Sequence, residues 1–313
     1  MSERVAIVGS GLIGRAWAIV FARADREVTL FDSDPTQVDR ALRVIESNLR
    51  DLETQGLIHS AAAVRARMGS AASLAAALDG ARYVQESVPE DRALKHRVFA
   101  EMDALAAPET ILGSSCSAIP GSRFLDLPGR ARCLIAHPVS PPYLVPLVEV
   151  VPTPWTADET VTATQQLMAQ VGQTPIVVHK EIDGFVLNRL QAAVINEAMY
   201  LIDEGVVTPD DLDKTMRDGL GLRWAFMGPF ETMDLNSDQG FEGYTSQYGG
   251  SYQAMGAQLR VARPWSGAAL ARVNESRRAR VPAERLSERQ TWRDRRLMAL
   301  LKHKAQAAQE IGS

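Results

Sequence analysis

The sequence predicts an α/β fold, a doubly wound sheet followed by a mainly helical C-terminal domain. Three observations carry this. A glycine turn, Gly9-x-Gly11-x-x-Gly14, lies between an apolar run and a helical stretch. Short apolar segments then alternate with helical ones as far as Val178. After Asp183 and Gly184 the strand-like runs stop and helical periodicity takes over.

The first stretch, Arg4 to Asp32, organises the rest. Val5 to Val8 reads as a buried parallel strand. Gly9 makes the tight turn out of it, Gly11 leaves an unobstructed approach for a pyrophosphate, and Gly14 lets the following helix pack closely on the sheet. That helix begins near Leu12, and the amides around Leu12 and Ile13 point with the positive helix end toward the same pyrophosphate. A second strand, Val28 to Phe31, delivers Asp32, whose carboxylate suits the ribose hydroxyls of a dinucleotide. Ser33 follows, with no arginine beside it for a 2'-phosphate, so this Rossmann-type half predicts NAD over NADP.

The 313 residues suggest two domains, 1–183 for the cofactor and a second of 184–313. The chain enters its first strand at once, so no signal peptide is expected, and no apolar run reaches the roughly 18 residues of a membrane span. Cys116 and Cys133 lack metal-ligand spacing, and the net charge of -4 argues against nucleic acid as a partner. A cytoplasmic protein without metal is expected.

In order along the chain, Pro35 to Gln55 is helical, and Ala61 to Asp79, rich in alanine, reads as one further helix. Tyr83 to Glu86 is a strand. Pro89 opens a helix toward Leu105, with Glu90 and Asp91 in its first turn. Strands follow at Thr110 to Gly113 and Cys133 to Ala136. Polar residues gather at these strand ends: Glu90 and Lys95 on one helix, and Ser114, Ser115 and Ser117 in a loop. Helix capping, a solvated lysine and a serine turn are their plainer explanations.

The chemical signal is AHPVSPPYLVPLVEV. His137 ends an apolar strand, a proline-restrained turn follows, and the chain returns with Glu149, twelve residues on. That spacing fits no single helical face, but two neighbouring segments can bring the pair together as a histidine base and its orienting carboxylate. With a reference pKa of about 6.5, histidine can take an alcohol proton near neutrality. The expected chemistry is removal of that proton as hydride passes to the nicotinamide, with Glu149 holding the tautomer.

Beyond this, Asp158 to Gln170 is predicted helical and Thr174 to Val178 a strand. Phe185 to Gly205 is a helix expected to bury one face through Leu187, Leu190, Val194, Ala198 and Leu201, with Asn188 and Arg189 at its start. Pro209 to Arg217 is helical, Gly219 to Gly221 a turn before Arg223 and Trp224, and Gly240, Gly243, Gly249 and Gly250 are expected to break up the next region. Tyr244, Tyr248 and Tyr252 form a stripe suited to core or interface packing. Gln290 to Gln309 reads as an arginine-rich amphipathic helix.

Taken together, VAIVGSGLIGRAWA, ESVPED, AHPVSPPYLVPLVEV, KEIDGFVLNRLQAAVINEA and GLGLRWAFMGPFETMDLN resemble the 3-hydroxyacyl-CoA dehydrogenase superfamily, in its lambda-crystallin or L-gulonate 3-dehydrogenase branch. The resemblance spans nearly the entire chain. It implies an NAD enzyme with a helical second domain that commonly forms a dimer interface, hence a homodimer. By the same resemblance His137 and Glu149 are the catalytic dyad, with Asn188 at the catalytic cleft. Ser117 contacts substrate, and Glu90 and Lys95 contact the cofactor's nicotinamide half; Ser115, from the serine loop after the strand, is also expected in the cofactor set. One departure stands out: Ser140 occupies the place of the asparagine in the family's HPxNP, and a serine lacks the amide donor pair.

Arg223 in LGLRWAFMGP matches the branch that acts on gulonate- and carnitine-type substrates, and a guanidinium binds a free carboxylate bidentately. The expected substrate is therefore a small free 3-hydroxy acid. The alternatives are a 3-hydroxyacyl-CoA, a carnitine-like acid, or a crystallin-type structural protein that retains NAD without turnover.

Overall fold

The computed structural model describes residues 4–259 and 267–312. It divides into two compact units, Met1–Arg189 with Arg295–Ala299, and Leu190–Asp294 with Leu300–Ser313.

In the first unit an eight-stranded sheet runs in the order β3-β2-β1-β4-β5-β6-β7-β8. Its strands are β1 (Arg4–Val8), β2 (Glu27–Phe31), β3 (Met68–Ser70), β4 (Ala81–Glu86), β5 (Ile111–Ser114), β6 (Cys133–Pro138), β7 (Leu147–Pro152) and β8 (Thr174–Val177). All neighbours are parallel except β6 and β7, which pair antiparallel. The chain moves outward from β1 in one direction through β2 and in the other through β4. The switch point therefore lies at the carboxyl ends of β1 and β4, where open α/β sheets bind ligands.

Helix α1 (Leu12–Arg23) buries Trp17 and Phe21, whose stacked rings lie 5.4 Å apart, with Tyr83 of β4 at 5.8 Å from Phe21. Helix α2 (Pro35–Thr54) begins at a proline after Asp34, whose carboxylate caps the Thr36 amide. On the other side of β1 the core gathers Val8, Val84, Phe99, Leu112, Phe124 and Phe185.

Four expectations are corrected. The alanine-rich Ala61 to Asp79 is not one helix: α3 (Ala61–Arg65) and α4 (Leu74–Leu78) flank β3, each capped by a serine, Ser60 and Ser73. Pairing of Met68, Gly69 and Ser70 with β2 satisfies backbone groups that helix propensity alone would have kept in one rod. Helix α5 (Arg92–Leu105) starts after Asp91, whose side chain caps Leu94, so Glu90 stands outside the helix that carries Lys95. Further on come α6 (Asp158–Gln170), α7 (Leu187–Asp203) and α8 (Pro209–Lys214). The α7 stripe is not a core face in this chain, because Leu190 and Val194 are exposed and only Ile202 is buried.

The fourth correction concerns glycines. Gly219 to Gly221 forms no turn: a π-helical segment, Thr215–Leu220, runs directly into α9 (Gly221–Trp224). A Cβ on Gly221 would stand 2.8 Å from the Met216 carbonyl oxygen, so the glycine admits a wide helical turn. After α10 (Pro229–Asp234), the next glycines lie along one helix, α11 (Gly240–Gln258). Glycine costs about 1 kcal/mol in a helix, which the tyrosine stripe offsets in part by i,i+4 contacts. Tyr244 and Tyr248 have ring centroids 4.9 Å apart, and the Tyr244 and Tyr252 hydroxyls lie 3.0 Å apart. Helices α12 (Gly267–Arg280) and α13 (Leu286–Ile311) end the described chain, and Trp292 and Leu300 of α13 are exposed. Among the described residues no helix is long and apolar enough to cross a membrane.

Candidate active site

His137 on β6 and Glu149 on β7 are direct register partners of the antiparallel pair, so their side chains emerge on one face. Both are buried, and His137 Nδ1 lies 2.7 Å from Glu149 Oε2. The other carboxylate oxygen accepts from the Val186 and Leu187 amides at 2.8 and 2.9 Å. Burial alone would raise the Glu149 carboxyl. The bonds from His137 and from the two amides outweigh that and hold it below the usual carboxylate range. An ionised Glu149 fixes the hydrogen on Nδ1 and leaves Nε2 as the basic nitrogen.

At the switch point the glycines do separate work. Gly9 has φ +93°, and a Cβ there would meet the Ser87 carbonyl at 2.8 Å. A Cβ on Gly14 would fall 1.8 Å from the Gly9 oxygen, whereas one on Gly11 would meet nothing within 4 Å. Gly11 is also the N-cap of α1 and offers no side chain to the first-turn amides of Leu12, Ile13 and Gly14. An open flank beside uncapped amides fits a pyrophosphate. Asp32 sits at the carboxyl end of β2. Its Oδ2 accepts from the Ser10 amide and hydroxyl at 2.8 and 2.9 Å and its Oδ1 from the Asp34 amide at 3.1 Å, which fixes the orientation of the carboxylate at this strand end.

The loop after β5 is held by Glu90. Its Oε1 accepts from the Ser117 and Ala118 amides, both at 2.9 Å, and from the Cys116 thiol at 3.2 Å. Burial and the nearby carboxylate push that thiol up to about 12, so it remains a donor. Burial also works to raise Glu90, but the thiol, the two amides and Lys95 together hold it below the usual range. Asn188, on the first turn of α7, donates through Nδ2 to the Ser117 carbonyl at 2.7 Å, and the Ser117 side chain is half-buried beside it.

Two expected cofactor residues turn inward. Lys95 is buried, and its Nζ contacts both Glu86 oxygens at 2.8 and 3.1 Å and the Val88 carbonyl at 3.2 Å. Its three donors are spent beneath the 87–91 loop, so it is neither a solvated lysine nor a side chain open to the cleft. Ser115 Oγ meets Trp17 Nε1, Gln85 Nε2 and Ser87 Oγ within 3.2 Å, in a buried network that ties α1 to β4. Ser140 is exposed two residues beyond the end of β6, where it precedes Pro141. Arg223 is exposed on α9 in the second unit, where its charge opposes the upward shift that the Tyr252 hydroxyl imposes on Tyr244.

Sequence reasoning missed Glu86, Phe185 and the amides of Val186 and Leu187. The Asp183-Gly184 break was the visible signal for the last three, but only the folded chain shows that the break faces Glu149.

Comparison with known proteins covers nearly the whole chain. The model of the 3-hydroxyacyl-CoA dehydrogenase NAD binding domain matches residues 4–182, and that of the family's C-terminal domain matches 184–275. The chain is 46% identical over 311 residues to the lambda-crystallin homolog of Bos taurus, covering 97% of each chain. It is 36% identical over 249 residues to the L-carnitine dehydrogenase of Oceanobacillus iheyensis, covering 79% of this chain and 80% of the other. Among solved structures it resembles an NAD+-dependent dismutase, 5-formyl-3-hydroxy-2-methylpyridine 4-carboxylic acid 5-dehydrogenase. That match has a TM-score of 0.82 and 28% identity, over 96% of this chain and 98% of that one.

Proposed function

Because the chain belongs to the 3-hydroxyacyl-CoA dehydrogenase family, an NAD-dependent dehydrogenase family, we propose that it oxidises the 3-hydroxyl of a small free 3-hydroxy acid, L-gulonate or a similar polyol acid, to the 3-oxo acid. The observation that carries this reading is the buried His137–Glu149 pair at 2.7 Å on adjacent strands. NAD+, when bound, supplies the hydride acceptor. Gly9, Gly11, Leu12, Ile13, Gly14 and Asp32 would hold it, with Glu90 and Ser115 shaping the loops around its nicotinamide half and Lys95 supporting them from beneath. His137 Nε2 takes the alcohol proton. Glu149 keeps the hydrogen on Nδ1 and stabilises the imidazolium that forms. Asn188 and Ser117 position the substrate, and Ser140 reaches it through water.

In this reading residues 1–183 carry the cofactor site and the dyad, and 184–313 carry substrate recognition and dimerisation. Arg223 binds the free carboxylate, an interaction that a thioester cannot reproduce. A screen for NADH production at mildly alkaline pH tests the whole, over L-gulonate, 3-hydroxybutyrate, 3-hydroxypropionate, carnitine and 3-hydroxybutyryl-CoA. Free 3-hydroxy acids should lead. His137→Asn should lower kcat by about 10² to 10⁴ with NAD binding intact. Faster turnover of the CoA thioester would overturn the substrate assignment, and tight NAD binding without turnover of any substrate would support the crystallin-type alternative. Carnitine is a second reading, favoured by the Tyr244–Tyr248–Tyr252 cluster, whose ring faces suit a trimethylammonium group, and its place in the screen decides it.

A homodimer is the state that the second unit's surface supports, since Leu190, Val194, Phe226, Phe230 and Phe241 are all exposed in the single chain. Sedimentation at micromolar concentration should give twice the 34.2 kDa chain mass. We place the reaction in a reducing cytoplasm, where Cys116 and Cys133, both buried and unpaired with each other, remain thiols.

A further inference from the structure

The backbone at Phe185 is anomalous. Among the described residues only Asp25 and Phe185 have positive φ without being glycine, and Phe185 stands at +50° while fully buried. A bulky side chain seldom adopts that conformation. Gly184 before it is also left-handed, at φ +74°, so two consecutive residues reverse the chain just before α7. The reversal is anchored by the Gly184 amide on the Ala118 carbonyl at 3.1 Å and by the Phe185 amide on the Ile182 carbonyl at 3.0 Å. It presents the next two amides, Val186 and Leu187, to Glu149. A glycine or asparagine at 185 would make the same turn more readily. What phenylalanine adds is its ring, whose centroid lies 5.7 Å from that of His137 at an interplanar angle of 57°.

We propose that Phe185 is a positioning residue for the His137 base, gripping the imidazole by ring packing while Glu149 grips it by a hydrogen bond. The inference rests on the reading of His137 as the base. The single bond to Nδ1 is lost whenever the imidazole rotates about its Cβ–Cγ bond, and Glu149 then no longer sets the tautomer. The neighbouring aromatic ring resists that rotation and keeps Nε2 aimed at the alcohol. The turn thus serves the dyad twice, through the amides that hold Glu149 ionised and through the ring that holds its partner.

The test is Phe185→Gly, which keeps the left-handed turn and removes the ring, studied in the full-length chain. Expected results are a fall in kcat of about tenfold to a hundredfold with an unchanged Kd for NAD. The ¹⁵N signal of His137, assigned by its loss in His137→Asn, should move from one tautomer in the parent protein to an averaged position in the variant. Parent-like His137 signals in Phe185→Gly overturn the proposal, even if activity falls with stability, because the ring is then only core packing. If the parent protein oxidises no 3-hydroxy acid, the catalytic reading fails, while the tautomer signal still decides whether Phe185 holds the imidazole. Should Phe185→Gly not fold, Phe185→Leu fills the core without an aromatic face and is read in the same way.

Discussion

Glu149 and Lys95 show how single residues in this protein gain their properties from neighbours. Glu149 is ionised because His137 and two amides compensate its burial, so its folded pKa lies below its unfolded value. A depressed carboxylate contributes stability that is complete above the unfolded pKa, near the ordinary 4.5, and is lost as the pH falls through the lower folded value. Glu149→Gln should therefore flatten the acid limb of a plot of stability against pH, as urea titrations at stepped pH would show. Lys95 and Glu86 form a buried ion pair. Lys95→Met leaves the Glu86 charge uncompensated and should cost about 3–5 kcal/mol in the same titrations. The His137–Glu149 dyad was legible in the sequence because a proline-restrained turn between two apolar runs implies adjacent strands. The inward orientation of Lys95 was not, because its partner is nine residues away across a strand end and nothing local distinguishes a buried lysine from a solvated one.

At the level of elements, the turn from β1 into α1 separates packing from binding. Gly14→Ala would drive a methyl into the Gly9 carbonyl, so the helix must shift, and both stability and NAD affinity should fall. Gly11→Ala meets open space within the protein. Its thermal midpoint should stay close to the parent's while its KM for NAD rises at least tenfold, because the methyl occupies the approach of the pyrophosphate. Equal KM values for the two proteins would mean the pyrophosphate lies elsewhere. Strands with strong apolar runs were recognisable, as was α6. The stretch 61–79 misled because alanine propensity is local whereas β3 exists only through its pairing with β2. The glycines of the second unit misled in the opposite sense, since glycine permits a turn without requiring one, and neighbouring helical turns kept 215–224 and 240–258 helical.

For the molecule as a whole, cofactor binding should be visible as stability. A ligand at about 100 times its Kd adds about 2.7 kcal/mol, or on the order of 5 °C in melting temperature. NAD should give that shift, NADP much less, and Asp32→Ala should abolish the difference; equal shifts from both dinucleotides would remove Asp32 from its role. By itself the sequence determined the fold class, the cofactor and the pairing of His137 with Glu149. Those follow from short-range patterns, in which glycine spacing, apolar runs and a carboxylate at a strand end constrain a few neighbouring residues. Tertiary structure alone decided that the turn before α7 closes on Glu149, that Phe185 lies against His137, and that Lys95 and Ser115 serve the loops from within. Those contacts join segments remote in the chain, and their energy exists only once the sheet has brought the segments together.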